Sequence, residues 1–178
     1  MVMSLGPRIV IIGNSGSGKS TLAKSLSAGI GGELIDLDRI HWQDKLGSKR
    51  DESQATAMVA SLAGKPRWII EGVFGWLAGV AVPAATSLIW LDMPWNVCRD
   101  SLAIRGPWRG ASADEHADFL VWAQDYWRRT TPSSFTGHLA LFTNYHGAKW
   151  RFRSRPELAE VFRIDLGSPP RADPGAPR

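Results

Sequence analysis

Cysteine is almost missing from the 178 residues, and the single Cys98 excludes a disulfide framework or a thiolate zinc cluster. Histidine is scarce too: the four present have no paired ligand spacing, which argues against a zinc enzyme. Lysine numbers only six against fifteen arginines, although the net charge is +4 and the pI about 9.6. An arginine excess favours fixed, bidentate contacts to anions over a diffuse cationic coat. A phosphate-bearing partner is therefore expected, and non-specific binding of nucleic acid stays open. No export signal is read, because residues 1–7 put no basic region ahead of an apolar core and residues 8–12 are too short for one. Residues 72–91 run uncharged for about the length of a membrane span, but Gly72, Gly75, Gly79, Pro83, Thr86 and Ser87 interrupt them. A loop followed by a buried strand suits that composition better. A soluble, cytoplasmic protein without membrane contact is expected.

What is present reads as one globular domain, with 44% hydrophobic and 21% charged residues and no internal repeat. Residues 8–12 (RIVII) are β-branched and stop at glycine, the pattern of a strand buried on both faces. Leu22, Leu26 and Ile30 then repeat at helical spacing, and Gly31 and Gly32 end the helix. Further strands are expected at 33–37, 67–71, 87–92 and 148–152. A helix is expected over 51–63 with Asp51 as N-cap and Gly64 beyond its end, and another over 96–105. Ser112 and Glu115 have capping-box spacing and open a helix whose Phe119, Trp122, Ala123 and Tyr126 share a face. A last helix runs from Ser154 to about Phe162, and a short strand at 163–166 stays open. Residues 167–178 read as a loose tail, with four prolines and two glycines. The alternation predicts an α/β fold, a five-stranded parallel sheet with helices on both faces, over residues 1–166. Ligands of such sheets sit beyond the carboxyl ends of the strands.

Gly13, Asn14, Ser15, Gly16, Ser17, Gly18, Lys19 and Ser20 fill every fixed position of the phosphate-binding loop, G-x-x-x-x-G-K-S. The loop follows a predicted strand and opens a helix, the context that gives the motif meaning. Its glycines let backbone N–H groups converge on phosphate oxygens, and the helix dipole adds positive potential there. Lys19 can reach the β- and γ-phosphates and the Ser20 hydroxyl can bind Mg²⁺. ATP and Mg²⁺ are the expected ligands.

With these parts in order, the chain resembles the adenylate-kinase-like P-loop kinases over residues 8–162, and within them the bacterial FlaR-like, or DNA topology modulation, group. The resemblance rests on residues 11–21 (IIGNSGSGKST), 34–38 (LIDLD) with Trp42, 68–72 (WIIEG), 89–94 (IWLDMP), Arg99, Arg105 and 151–155 (RFRSR). It implies a P-loop NTPase fold with a helical and loop lid over about 99–130, and it adds Thr21 to the nucleotide-binding run. It implies that Asp36 and Asp38 face the γ-phosphate across a cleft, Asp38 orienting the acceptor hydroxyl and Asp36 holding Mg²⁺ through water. Solvated strand-end acids are the competing account of both. Glu71 is implied as the acid holding a Mg²⁺-bound water, with Asp92 the competitor, which equally suits a helix N-terminus. Arg99, Arg105 and Arg109 are implied as lid cations that stabilise the migrating phosphoryl group, with Arg128 and Arg129 facing back toward the lid; surface pairs with nearby aspartates are the alternative. Residues 151–155 are implied to pass the adenine edge, with Ser154 and Arg155 marking the position and Arg153 or Arg155 able to stack on the base.

One stretch departs from that pattern. Residues 73–83 (VFGWLAGVAVP) contain no basic residue where an acceptor phosphate would need one. An acceptor with an apolar or aromatic body and one hydroxyl is expected instead, beside Trp42, Phe74 and Trp76. Of the nine tryptophans, Trp68, Trp90 and Trp122 fall on core faces and Trp42, Trp76 and Trp108 around the cleft. His138 and His146 are expected to be capping or surface residues. The leading expectation is an ATP-dependent kinase of a small hydroxyl-bearing molecule, as monomer or homodimer. A nucleoside or nucleotide kinase is the second, and a slow ATPase module that contacts nucleic acid the third.

Overall fold

The computed structural model describes residues 5–43, 48–107 and 110–162. Strands β1 (Arg8–Gly13), β2 (Glu33–Asp36), β3 (Trp68–Gly72), β4 (Ser87–Leu91) and β5 (Ala148–Phe152) form one parallel sheet in the order β2-β3-β1-β4-β5. Among the described residues eight helices accompany them, seven between strands and the last after β5: α1 (Lys19–Ile30), α2 (Leu37–His41), α3 (Glu52–Ala63), α4 (Gly75–Ala81), α5 (Trp95–Arg105), α6 (Ala113–Gln124), α7 (Phe135–Asn144) and α8 (Arg155–Phe162). Every strand-to-strand step of a parallel sheet must cross over a face, which is why helices cover both.

The two-residue period of β1 divides the core. Val10 and Ile12 join Ile70, Leu88 and Trp90 beneath α3, α4 and α7, while Ile9 and Ile11 join Ile69, Ile89 and Leu91 beneath α1, α5 and α8. All four β1 side chains are fully buried, and each contributes about 1.5–3 kcal/mol of hydrophobic stabilisation. β1 ends in mid-sheet, so its carboxyl end is flanked by those of β3 and β4, with Ile12 opposite Gly72 and Gly13 opposite Leu91. The phosphate loop leaves from that point.

Several expected boundaries move. β2 stops at Asp36 because the chain turns at once into α2, a five-residue helix too short to show periodicity. β3 lies one residue later than expected, and β4 ends before Asp92. Residues 75–81, expected to be loop, form α4, followed by a 3-10 turn at Val82–Ala84. The glycines that argued against a helix there serve packing: a Cβ on Gly75 would overlap the Pro132 carbonyl, so only glycine lets α4 approach the segment before α7. α7 itself was not expected; Ser134 caps it, its side chain accepting from Gly137 N. The Ser112 capping box, the Asp51 cap and the α8 span appear as read. The open strand at 163–166 and the tail at 167–178 lie outside the described residues. Among those described, no helix is long and apolar enough to cross a membrane.

Candidate active site

The loop between β1 and α1 is shaped to receive an anion. Gly16 and Gly18 have φ of +80° and +100°, a region side-chain-bearing residues rarely adopt. Within α1 the hydrogen bonds begin with Leu22 N donating to Gly18 O, and no side chain caps the helix. Its first N–H groups therefore point outward without an intrahelical acceptor. Lys19 is buried, its Nζ donating to Asn14 O at 2.9 Å, folded across the loop. Asn14 is fixed in turn: its Oδ1 accepts from Ser15 N and its Nδ2 donates to Ala123 O at 2.8 Å near the end of α6. Gly13 lies at the close approach to β4, and Thr21 is exposed one residue past Ser20.

Glu71, the last residue but one of β3, lies opposite Ile11, which turns its carboxylate to the α1 face. There its Oε1 accepts from Ser20 Oγ at 2.6 Å. Burial raises the Glu71 pKa, while Lys19 and the Ser20 bond pull it down. A hydroxyl and a carboxylate in contact form the all-oxygen donor set that suits Mg²⁺, so the residues present fit that ion. Asp92 is engaged elsewhere. Its carboxylate is held by Arg151 Nη2 at 2.8 Å and Arg153 Nε at 3.7 Å. Asp36 is also occupied: its Oδ1 accepts from Asp38 N at 2.9 Å as the N-cap of α2, and Arg39 lies 3.8 Å from its other oxygen.

Asp38 is different. Its Oδ1 is shut from solvent and has no hydrogen-bond partner. Burial pushes its pKa up to about 7, with the Asp36 charge adding and Lys19 opposing. It faces a cavity of about 630 Å³ that reaches the phosphate loop at Ser15. The wall is aromatic: Phe74 from the β3–α4 turn, Trp76 from α4, Trp42 after α2, and Phe119 and Trp122 from α6. Trp42 and Trp76 thus stand at the cleft as expected, and Trp122 belongs to it as well as to the core. Residues 73–83 supply no basic group, but Lys49, Arg50, Arg105 and Arg129 enter from elsewhere in the chain.

The arginines divide by partner. Arg129 lies with its guanidinium carbon 4.0 Å from the centre of the Trp122 ring, and its Nε and Nη2 are buried with no partner. Its pKa is lowered by burial, against the pull of Asp125. Arg105, at the end of α5, lies 5.8 Å from the Phe119 ring centre and lines the cavity. Arg99 pairs with neighbouring Asp100 at 2.9 Å on the exposed side of α5, and Arg128 is exposed. Arg109 and Trp108 lie outside the described residues. Arg151 is sandwiched between Asp92 and the Trp90 ring, Ser154 Oγ accepts from Glu157 N at the start of α8, and Arg155 donates to Ser101 Oγ at 2.6 Å.

Two histidines escaped the sequence reading. His41 is buried on the cavity wall, its ring 3.9 Å from Phe74 and nearly parallel to it; burial and then Lys49 hold its pKa down to about 4. His138 is not a surface residue but wholly buried in α7. Its Nε2 lies 3.0 Å from Val73 O, which can only accept, so the proton is assigned to Nε2. Nδ1 then accepts from Tyr126 OH at 2.7 Å, and that oxygen accepts from Trp90 Nε1 at 3.3 Å. This chain anchors Val73, part of the cavity wall. A lone histidine in the sequence carries no periodic signal of such a place. His146 is exposed.

No protein-family model matches the chain, and no curated protein does. Solved structures do. A gluconokinase from Sinorhizobium meliloti 1021 matches with a TM-score of 0.54 and 16% identity over 90% of both chains. A shikimate kinase from Bacteroides thetaiotaomicron matches at 0.53 with 19% identity, over 88% of this chain and 94% of that one. A shikimate kinase from Acinetobacter baumannii in complex with shikimate matches at 0.52 with 14% identity, over 91% and 96%. At such identities the likeness shows a shared fold alone.

Proposed function

We propose that the protein is a kinase that moves the γ-phosphoryl group of ATP to a hydroxyl of a small acceptor bound in the aromatic cavity. The observation that carries this reading is Asp38, a buried carboxylate whose Oδ1 has no hydrogen-bond partner, lining a cavity that opens onto the phosphate loop. A carboxylate with a pKa near 7 suits a general base at neutral pH. The acceptor oxygen attacks the γ-phosphorus, the bond from that phosphorus to the bridging oxygen breaks, ADP leaves, and the hydroxyl proton passes to Asp38. Lys19 exchanges the Asn14 carbonyl for phosphate oxygens, and the N–H groups of the loop and first helical turn hold the rest. Ser20, with Glu71 behind it, would hold Mg²⁺, which would supply charge neutralisation of the phosphates. Arg105, with Arg109 on the lid segment about 99–130, neutralises the migrating group, while Arg99 is held by Asp100 on the exposed side of α5. The 151–155 segment, with Ser154 and Arg155, passes the base.

The partnerless Nε and Nη2 of Arg129 favour an acceptor that also carries an acidic group, since a guanidinium edge matches a carboxylate or phosphate. A gluconokinase and a shikimate kinase with bound shikimate on the same fold agree with a small hydroxylated acid. The FlaR-like resemblance belongs to this reading as its finer form. The test is acceptor-stimulated ADP formation by the parent chain and by Asp38→Asn. The variant should lose about 10²–10⁴-fold in turnover while binding ATP as the parent does. Equal turnover by the variant, or ADP formation that rises only with DNA or RNA and falls steeply with salt, overturns it.

A further inference from the structure

Among the described residues, five buried side-chain atoms have no hydrogen-bond partner, and four of them belong to Asp38, His41 and Arg129, which line one cavity. Asp38 and Arg129 have places in the proposed reaction. His41 has none. Yet a buried polar atom without a partner costs about 1–3 kcal/mol, and cores rarely tolerate one that nothing ever satisfies.

The His41 ring is held still. It stacks on Phe74 at 3.9 Å and 26°, and meets Trp42 and Trp76 edge-on at 4.4 and 5.9 Å. Its Nδ1 is the unpartnered atom. Asp38 and His41 are three residues apart on α2, so they share a face with Cβ atoms about 5–6 Å apart. One small molecule can touch both.

We infer that His41 is a specificity-determining residue that reads a second hydroxyl of the bound molecule, on a carbon next to, or one removed from, the carbon whose hydroxyl meets Asp38. The inference rests on the cavity being the acceptor site. A hydroxyl is the group of choice because it both donates and accepts, so it satisfies Nδ1 in either neutral tautomer. A fixed ring in an aromatic wall adds discrimination: a molecule lacking that hydroxyl leaves the nitrogen buried and unpaired, and apolar contact cannot compensate. The occupant is therefore a polyhydroxylated molecule, which departs from the single hydroxyl expected from the sequence.

The experiment measures equilibrium binding, by calorimetry or tryptophan fluorescence, to the parent chain, His41→Phe and His41→Asn. The probes are polyhydroxy carboxylates of four to seven carbons, linear and cyclic, each paired with its counterpart lacking one hydroxyl. The parent chain should bind at least one probe about tenfold or more tighter than its deoxy counterpart. His41→Phe keeps the stacking and loses the nitrogen, so its preference should fall below about threefold, the lower end of one neutral hydrogen bond. His41→Asn places a polar atom the same number of bonds from Cβ as Nδ1 and should recover part of the preference. An undiminished preference in a folded His41→Phe overturns the inference, as does failure of the parent chain to bind any probe. Binding with the expected preference but no ADP formation sustains the inference and sinks the kinase reading instead.

Discussion

The buried His138 makes the fold sensitive to acid in a way that can be worked out from its contacts. Its Nε2 donates to Val73 O and its Nδ1 accepts from Tyr126 OH, so the neutral ring is satisfied and a second ring proton would displace the Tyr126 hydroxyl proton from its acceptor. Burial accordingly holds its pKa down to about 3, whereas an exposed histidine titrates near 6.5. Between those values the unfolded chain binds a proton that the folded chain refuses. Stability from this residue is therefore complete above about pH 6.5 and falls as the pH drops, by about 1.4 kcal/mol per unit, or about 2 kcal/mol by pH 5. His138→Gln keeps a donor for Val73 O and cannot titrate. The variant should start less stable, by roughly 1–3 kcal/mol for the disturbed hydrogen bonds. From pH 7.5 to pH 5 it should then lose about 2 kcal/mol less than the parent. Urea unfolding at the two pH values, with m checked for constancy, reads the difference directly. Carboxylates and His41 titrate in both proteins and cancel in the comparison. Equal losses in parent and variant would refute the reasoning and place a charged or water-reached histidine in α7.

Two further outcomes follow from close contacts, one at the phosphate loop and one between α4 and the segment before α7. Glu71→Gln leaves Ser20 Oγ an acceptor but removes the charge behind it; the Mg²⁺ concentration needed for half-maximal ATP binding should rise about tenfold or more, and an unchanged Mg²⁺ titration would leave Glu71 without a part in holding the ion. Gly75→Ala drives a methyl into the Pro132 carbonyl and should cost about 1–3 kcal/mol, a fall in Tm of several degrees; an unaltered Tm would mean that α4 and the segment before α7 can separate at no cost.

The phosphate loop was legible because all its chemistry sits in eight consecutive residues, with a β-branched run before and a helical period after them. Asp38 and Glu71 were named, beside Asp36 and Asp92, by the family resemblance, as acids at or just past strand ends, where ligands of parallel sheets sit. Their standing against Asp36 and Asp92 was not legible. Four carboxylates at strand ends look alike in a sequence, and what separates them is who else arrives: Asp38's own backbone N–H at Asp36, Arg151 and Arg153 at Asp92, Ser20 at Glu71, and nothing at Asp38 Oδ1. The glycines of residues 75–81 misled for a related reason. Glycine lowers helix propensity locally, but close approach to Pro132 outweighs that cost in the packed molecule.

By itself, the order of residues determined the layered α/β class, the strand that carries the loop, and the presence of an anion cradle, because these depend on short-range periodicity and on a contiguous motif. Only the tertiary structure decided what stands opposite that cradle. The cavity draws Asp38 and His41 from α2, Phe74 from the turn after β3, Arg105 from α5 and Arg129 from beyond α6. Its character, aromatic walls with three unsatisfied polar groups, is a property of desolvation, and desolvation is created by neighbours that no local window of the chain contains.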